Sequence, residues 1–223
     1  MQKFQKDFVE LALFAGALRF GKFTLKSGRV SPYYFNSGVF YTGEFTRALA
    51  DIMAQKIKLT LKPEKYDAIF GPAYKGIPLA VSVSMALAER GINKSWCFNR
   101  KEAKSHGDGG AFVGAPVCDG MRLLMVDDVF TTGGAKDEAI EQLAAVARVS
   151  VPGVFIFVDR QEKDADSNNA IAEFEARRKT SVHAIVTADE IFEYLSKADS
   201  FGKTRMAPEI LAEYKEYRKK HGV

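Results

Sequence analysis

One short run carries most of the chemistry this chain can offer: Leu123-Leu124-Met125-Val126-Asp127-Asp128-Val129-Phe130-Thr131-Thr132-Gly133-Gly134-Ala135. Glycines and hydroxyls where a strand turns into a helix suit a phosphate. Backbone N–H groups converge there, and the helix dipole favours an anion. Thr131 and Thr132 add hydroxyl donors. The two acids just upstream would repel a phosphate beside them. They are better placed to accept bonds from sugar hydroxyls or to stand near a metal. A phosphate end and a polyol end together describe a sugar phosphate.

Three further segments hold reactive residue types. Phe23-Thr24-Leu25-Lys26-Ser27-Gly28-Arg29 leads into Ser31-Pro32-Tyr33-Tyr34-Phe35-Asn36, a cation followed by aromatics that can stack on a planar base. Gly71-Pro72-Ala73-Tyr74-Lys75-Gly76-Ile77-Pro78 puts a lysine in a tight loop. Phe98-Asn99-Arg100-Lys101-Glu102-Ala103-Lys104-Ser105-His106 packs cations ahead of Gly107, Gly109 and Gly110, so a hinged basic loop can close over a polyanion. By themselves the run over 123–135 and these three segments have plainer readings: a capped turn, a core hairpin, a solvated lysine, an exposed basic loop. Two familiar phosphate motifs fail. Residues 71–76 have P-loop glycine spacing but lack the Lys-Ser/Thr pair, and residues 107–110 lack the third glycine of a dinucleotide fingerprint.

These segments must be held by an ordered frame, and the hydrophobic pattern supplies one. Apolar spacing predicts helices over 4–18, 45–59, 77–90, 135–147, 168–179, 188–197 and 207–220. Short runs that are apolar throughout predict strands over 67–70, 95–98, 122–126, 151–158 and 182–186, with a glycine-rich loop over 107–114. Such strands alternating with helices indicate an α/β fold, a parallel sheet covered on both faces. Ligands bind these sheets beyond the carboxyl ends of the strands, where the quoted loops lie.

With 223 residues, 47% hydrophobic and 27% charged, the chain is an ordinary globular one. That excludes disordered, collagen-like and coiled-coil classes. A net charge of +4 is too mild to imply nucleic acid. Cys97 and Cys118 form no CxxC pair, and with three histidines a structural zinc site is not expected. Charges at Lys3, Lys6, Asp7 and Glu10 break any signal-peptide core, and no apolar stretch is long enough to span a membrane. The expectation is a cytoplasmic protein with reduced thiols and no membrane or nucleic-acid partner.

The run over 123–135 resembles the phosphoribosyl-pyrophosphate (PRPP) signature of the type I phosphoribosyltransferases. With FTLKSGR, SPYYFN, GPAYKGIP, FNRKEAKSHG and VDRQE in the same order, the chain resembles the orotate-specific members of that family. The resemblance implies a five-stranded parallel sheet flanked by helices, with a small N-terminal hood. It implies one domain over 1–223: hood mainly 1–43, core roughly 44–190, C-terminal helix 205–221. It implies transfer of phosphoribose from PRPP to orotate with Mg2+, releasing pyrophosphate and orotidine 5'-monophosphate, in pyrimidine synthesis. Lys26, Tyr74 and Lys75 match PRPP-binding positions. Asp127, Asp128, Val129, Phe130, Thr131, Thr132, Gly133, Gly134 and Ala135 match the ribose and 5-phosphate loop. Tyr34, Phe35, Thr131 and Arg160 match orotate contacts, with Arg160 near the carboxylate. Arg100, Lys101, Lys104 and His106 match a mobile loop over the pyrophosphate that acts across a homodimer interface. Lys104, His106, Asp127 and Asp128 are thereby the catalytic candidates. Mg2+ is expected mainly on PRPP, with Asp127 and Asp128 nearby and no direct protein ligand assured.

Two departures stand out. The family usually has Thr-Ala-Gly-Thr where this chain has Thr131-Thr132-Gly133-Gly134, and Phe is common where Tyr34 stands. Rival readings are a transferase for another base, a noncatalytic PRPP sensor, and a nucleic-acid module resting on the basic loop and Lys219-Lys220.

Overall fold

The computed structural model describes residues 1–25, 27–104, 110–164, 166–197 and 204–223. Lys26 and His106 lie outside the described residues, as does the side chain of Lys104.

The chain begins with α1 (Lys3–Phe14), which buries Phe4, Phe8, Val9 and Ala12 at helical spacing. The helix stops four residues before the sequence pattern ends. Gly16 takes a left-handed φ of +70°, a conformation that suits glycine and ends helices, and Leu18 opens a strand instead. That strand, β1 (Leu18–Thr24), pairs antiparallel with β2 (Val30–Phe35), with a bulge between Phe20 and Phe23. The long helix α2 (Gly43–Thr60) follows, its start fixed by the Thr42 hydroxyl accepting from the Phe45 N–H.

The main sheet contains β3 (Ala68–Gly71), β4 (Ser95–Lys104), β5 (Gly110–Gly114), β6 (Leu123–Val126), β7 (Val154–Asp159) and β8 (Val182–Thr187), in the order β5-β4-β3-β6-β7-β8. Five of these strands are mutually parallel. The sheet nevertheless has six strands, not five, because β5 adds antiparallel to the edge at β4. The glycines that suggest a loop over 107–114 permit this strand. Gly114, at φ +98°, lies so near Trp96 that a Cβ would sit 2.3 Å from the Trp96 carbonyl oxygen. Strand β7 starts later than expected. Pro152 has no N–H to give a ladder, and after an isolated bridge between Arg122 and Ser150 the continuous strand begins at Val154.

Helices α3 (Gly76–Ala88), α4 (Gly134–Ala144), α5 (Ala170–Arg178), α6 (Ala188–Ser196) and α7 (Pro208–His221) complete the fold. Ile69, Leu124, Val126, Phe155 and Phe157 pack into one core with α1, α2, α3 and α6. Ala68, Phe70, Leu123, Met125, Val154 and Ile156 pack into a second with α4 and α5. Successive side chains point to opposite faces, so covering both faces demands strands that are apolar throughout. Among the described residues no helix is long and apolar enough to cross a membrane.

The amino ends of the central strands are joined by charge. Asp67 accepts from the Arg122 backbone N–H at 2.8 Å, from Nε at 3.0 Å and from Nη2 at 2.6 Å. Those bonds hold the Asp67 carboxyl down to about 2. The resulting stabilisation is complete above the ordinary carboxylate range and is lost as pH falls toward 2. Because the pair is over a third exposed, it contributes about 1 kcal/mol or less. Asp67→Asn should therefore lower the urea midpoint slightly at pH 7. The gap from wild type should close as pH falls to about 2. A gap that persists in acid would contradict the assignment.

Candidate active site

From β3 the chain moves outward to β4; β6 then lies on the other side of β3. The order reverses between β3 and β6, and the crevice at such a switch point is where open α/β sheets bind ligands. Both loops that leave this point carry residues singled out by the sequence.

The loop after β3 is shaped by close packing. A Cβ on Gly71 would lie 2.0 Å from the Gly76 carbonyl oxygen, and one on Gly76 would lie 2.6 Å from Pro72 Cδ. Only glycine allows α3 to start that near the strand end. Asn99, buried on β4, accepts from the Ala73 N–H at 2.8 Å and donates to Gln142 Oε1 at 2.7 Å. Tyr74 and Lys75 sit at the loop's crest, with Tyr74 71% exposed.

The loop after β6 meets it. Lys75 Nζ donates to Asp128 Oδ2 at 2.7 Å, and the Ser37 hydroxyl donates to the same oxygen at 2.5 Å. Lys75 also reaches Ser37 Oγ at 3.1 Å. The other Asp128 oxygen accepts from the Val129 N–H at 2.9 Å. Asp127 faces inward: Oδ1 accepts from the Asp128 N–H at 2.9 Å and Oδ2 from Lys136 Nζ at 2.5 Å. The two carboxyls are displaced in opposite directions. Burial opposes ionisation of Asp128, but the bonds from Lys75 and Ser37 outweigh it and hold that carboxyl below its usual range. At Asp127 burial prevails over Lys136 and the carboxyl is pushed up.

Beyond the acids, Val129 bridges to Val158 on β7, and Phe130 is buried edge-on against Phe174 at 5.2 Å. Thr131 and Thr132 are exposed, and Gly133 is buried at φ +81°. A Cβ there would sit 2.7 Å from the Phe130 ring, so the turn demands glycine. Gly134 and Ala135 begin α4, whose first amides have no partner within the helix. The Gly134 N–H reaches Thr132 Oγ1 only at 3.4 Å. The arrangement is an open amide nest flanked by hydroxyls, as a phosphate requires.

Gly134 has room for a side chain, its nearest Cβ neighbour being Thr132 Oγ1 at 3.6 Å, and no positive φ. Gly134→Thr should therefore fold normally. It should tighten binding of a phosphate ester several-fold by adding a hydroxyl donor. Unchanged or weaker binding would show that the amides alone set the loop.

Arg160, just past β7, forms a second centre. Its Nη2 donates to Glu162 Oε1 at 2.5 Å and to Ser31 Oγ at 3.1 Å, and its guanidinium lies 4.2 Å over the Tyr33 ring. Burial pushes the Tyr33 phenol well up, and among the described residues its hydroxyl has no hydrogen-bond partner. The following loop is clamped by backbone bonds from Lys163 N–H to the His221 carbonyl (2.8 Å) and from Val223 N–H to the Gln161 carbonyl (3.0 Å). Arg218 adds bonds to Asp189 and the Gln161 carbonyl.

The expected aromatic pair is split by strand alternation. Phe35 packs inward near Phe8 and Phe40, while Tyr34 turns the other way, stacked on Phe23 at 5.5 Å beneath Arg19. Tyr33, between Arg160 and Tyr214, is the aromatic that meets the arginine. Arg100 and Lys101 lie on β4, with Lys101 Nζ 3.4 Å from Glu138. Lys104 pairs with Gly110 of β5, so the basic run rides on the β4–β5 hairpin.

Sequence reasoning did not single out Ser37, Asn99, Lys136, Ser31, Tyr33 or Glu162 as site residues. Asn99, Ser31, Tyr33 and Glu162 lie inside the quoted motifs, which was the available signal. Lys136 carried none, since a lysine in a first helical turn ordinarily points to solvent.

The pattern of the phosphoribosyl transferase domain matches residues 40–188. Orotate phosphoribosyltransferase of Haemophilus ducreyi is 44% identical over 224 residues, covering the whole of both chains. That of Clostridium botulinum is 40% identical, covering all of this chain and 99% of its own. The crystal structure of orotate phosphoribosyltransferase from Francisella tularensis superposes with a TM-score of 0.84 at 39% identity, covering 97% of this chain and 100% of the other. A likeness this complete, carried by a switch-point loop with its two acids and its open amide nest, places the chain in the phosphoribosyltransferase family, among the orotate phosphoribosyltransferases.

Proposed function

We propose that this chain transfers the 5-phosphoribosyl group of PRPP to N1 of orotate, giving orotidine 5'-monophosphate and pyrophosphate. The observation that carries the orotate reading is Arg160. The residue follows β7, and its planar cation is held against Tyr33 and Ser31 of β2, at the carboxyl end of the sheet that also carries the phosphate loop. A guanidinium fork suits a carboxylate, which orotate has and uracil and purines lack.

The remaining roles follow from residue chemistry. The amides of 131–135 and the two threonine hydroxyls bind the 5-phosphate. Asp128, with Lys75 and Ser37 on its outward oxygen, meets the ribose hydroxyls and offsets positive charge that develops at the anomeric carbon. Lys26, Tyr74, Lys75, Arg100, Lys101, Lys104 and His106 serve the pyrophosphate side. Cations in a water-excluded site stabilise the leaving group most where its charge grows. Orotate is nucleophilic at N1 once ionised, so no enzyme nucleophile is needed.

Mg2+ fits this site as an ion brought by PRPP. Among the described residues no cluster of three acids, histidines or cysteines could hold one, and both switch-point acids already accept from lysines. Mg2+ prefers substrate phosphates with one or two carboxylates, here Asp127 and Asp128 nearby. When bound it would neutralise charge on the departing pyrophosphate.

The same reading takes the chain as one cytoplasmic domain: a hood over 1–43, a core over 44–190 and a C-terminal helix over 205–221. It takes the protein as a homodimer in which the basic hairpin completes the partner's site. Pyrophosphate release tests it, with orotate, uracil and hypoxanthine in parallel. Release with orotate alone supports it; release with hypoxanthine alone would make this a purine transferase. Mixing Lys104→Ala and Arg160→Ala proteins, each weak alone, should restore activity if sites are shared. No restoration would remove the shared site.

A further inference from the structure

Lys136 sits in the first turn of α4, where a cation opposes the helix dipole. A lysine there normally extends into water. This one is 4% exposed. Its ammonium donates to Asp127 Oδ2 at 2.5 Å and to the Val129 carbonyl at 2.8 Å, and stands 5.3 Å from the centre of the Phe130 ring. An ammonium is withdrawn from water only when its donors are met, and here two oxygens and an aromatic face meet them. All three belong to the phosphate loop or its leading acid.

The geometry makes Lys136 a staple across that loop. It reaches back from the helix to Asp127, the residue that follows β6, and on its way fixes the carbonyl at 129 and the ring at 130. Asp127 is consumed by this arrangement: one oxygen is taken by Lys136, the other by the Asp128 N–H, and the side chain is 11% exposed. Asp128 differs. Its outward oxygen meets Ser37 and the half-exposed Lys75.

We propose that Lys136 is a positioning residue for PRPP: it holds Asp127 as an internal anchor of the phosphate loop and leaves Asp128 as the acid of the pair that meets the ribose. The resemblance treats the two acids alike; the bonds within this chain divide them. The inference deepens the proposed function and rests on its PRPP site.

Direct PRPP binding by calorimetry, with Mg2+ present, separates the two. Wild type that binds no PRPP would sink the functional reading itself, and this inference with it. If wild type binds, Lys136→Met should weaken PRPP at least 10-fold, while the KM for orotate at saturating PRPP stays within twofold. A lysine that merely stabilised the fold would not divide the substrates in this way. The double variant Lys136→Met/Asp127→Asn should bind PRPP no more weakly than Lys136→Met alone, because both changes remove one interaction. It buries no unpaired charge, so if the single variant does not fold the double one is read against wild type, and should show weakened PRPP binding with the KM for orotate within twofold. Wild-type affinity in either variant, or a further 10-fold loss in the double one, would overturn the proposal. The further loss would make Asp127 a direct ribose ligand.

Discussion

Lys104→Ala is expected to lower turnover by about 100- to 1,000-fold, the usual cost of deleting one donor to charge that develops in a transition state. The thermal midpoint should barely move. Lys104 is the last residue of β4, paired with Gly110 of β5, and if it serves the pyrophosphate from a mobile loop, as the resemblance implies, its truncation costs little stability. The cost falls on the chemical step because pyrophosphate gathers its charge as the bond to the anomeric carbon breaks. Turnover measured at saturating PRPP and orotate, alongside a melting curve, checks this. Turnover within twofold of wild type would take the hairpin out of the mechanism.

Arg160→Ala is expected to raise the KM for orotate about 10- to 150-fold, since a charged hydrogen bond contributes about 1.5–3 kcal/mol. PRPP affinity should stay near wild type. The change also strands Glu162, only 14% exposed, without its partner, so a lower melting temperature is expected too. Arg160→Lys separates the effects. It keeps a charge near Glu162 but loses the planar fork, so it should restore stability more fully than orotate binding. Equal weakening of orotate and PRPP would move Arg160 out of the base site.

The parts legible in the sequence were those whose cause is local. Strands β3, β6 and β7 announce themselves because both faces are buried, and the acid–threonine–glycine run stands out because a strand-to-helix phosphate turn needs those types together. Features fixed by distant partners were not legible. Strand β5 is short, framed by glycines, and exists because β4 offers an edge. Helix α1 keeps its apolar spacing past Phe14, but the backbone at Gly16 ends it. Tyr34 and Phe35 look like a pair until alternation along β2 puts them on opposite faces. Ser37 and Lys75 lie 38 residues apart and meet only because their loops converge on Asp128. Lys136 is the sharpest case: spacing along a helix cannot tell a solvated lysine from one folded back onto the loop before it.

Transfer to orotate is read directly by the ultraviolet absorbance of orotate. Purified protein with orotate, PRPP and Mg2+ should bleach that band at a steady rate, and omitting either PRPP or Mg2+ should stop it. No loss of absorbance while PRPP is still bound would rule out orotate as the acceptor and leave another base, or PRPP sensing, as the work of this site.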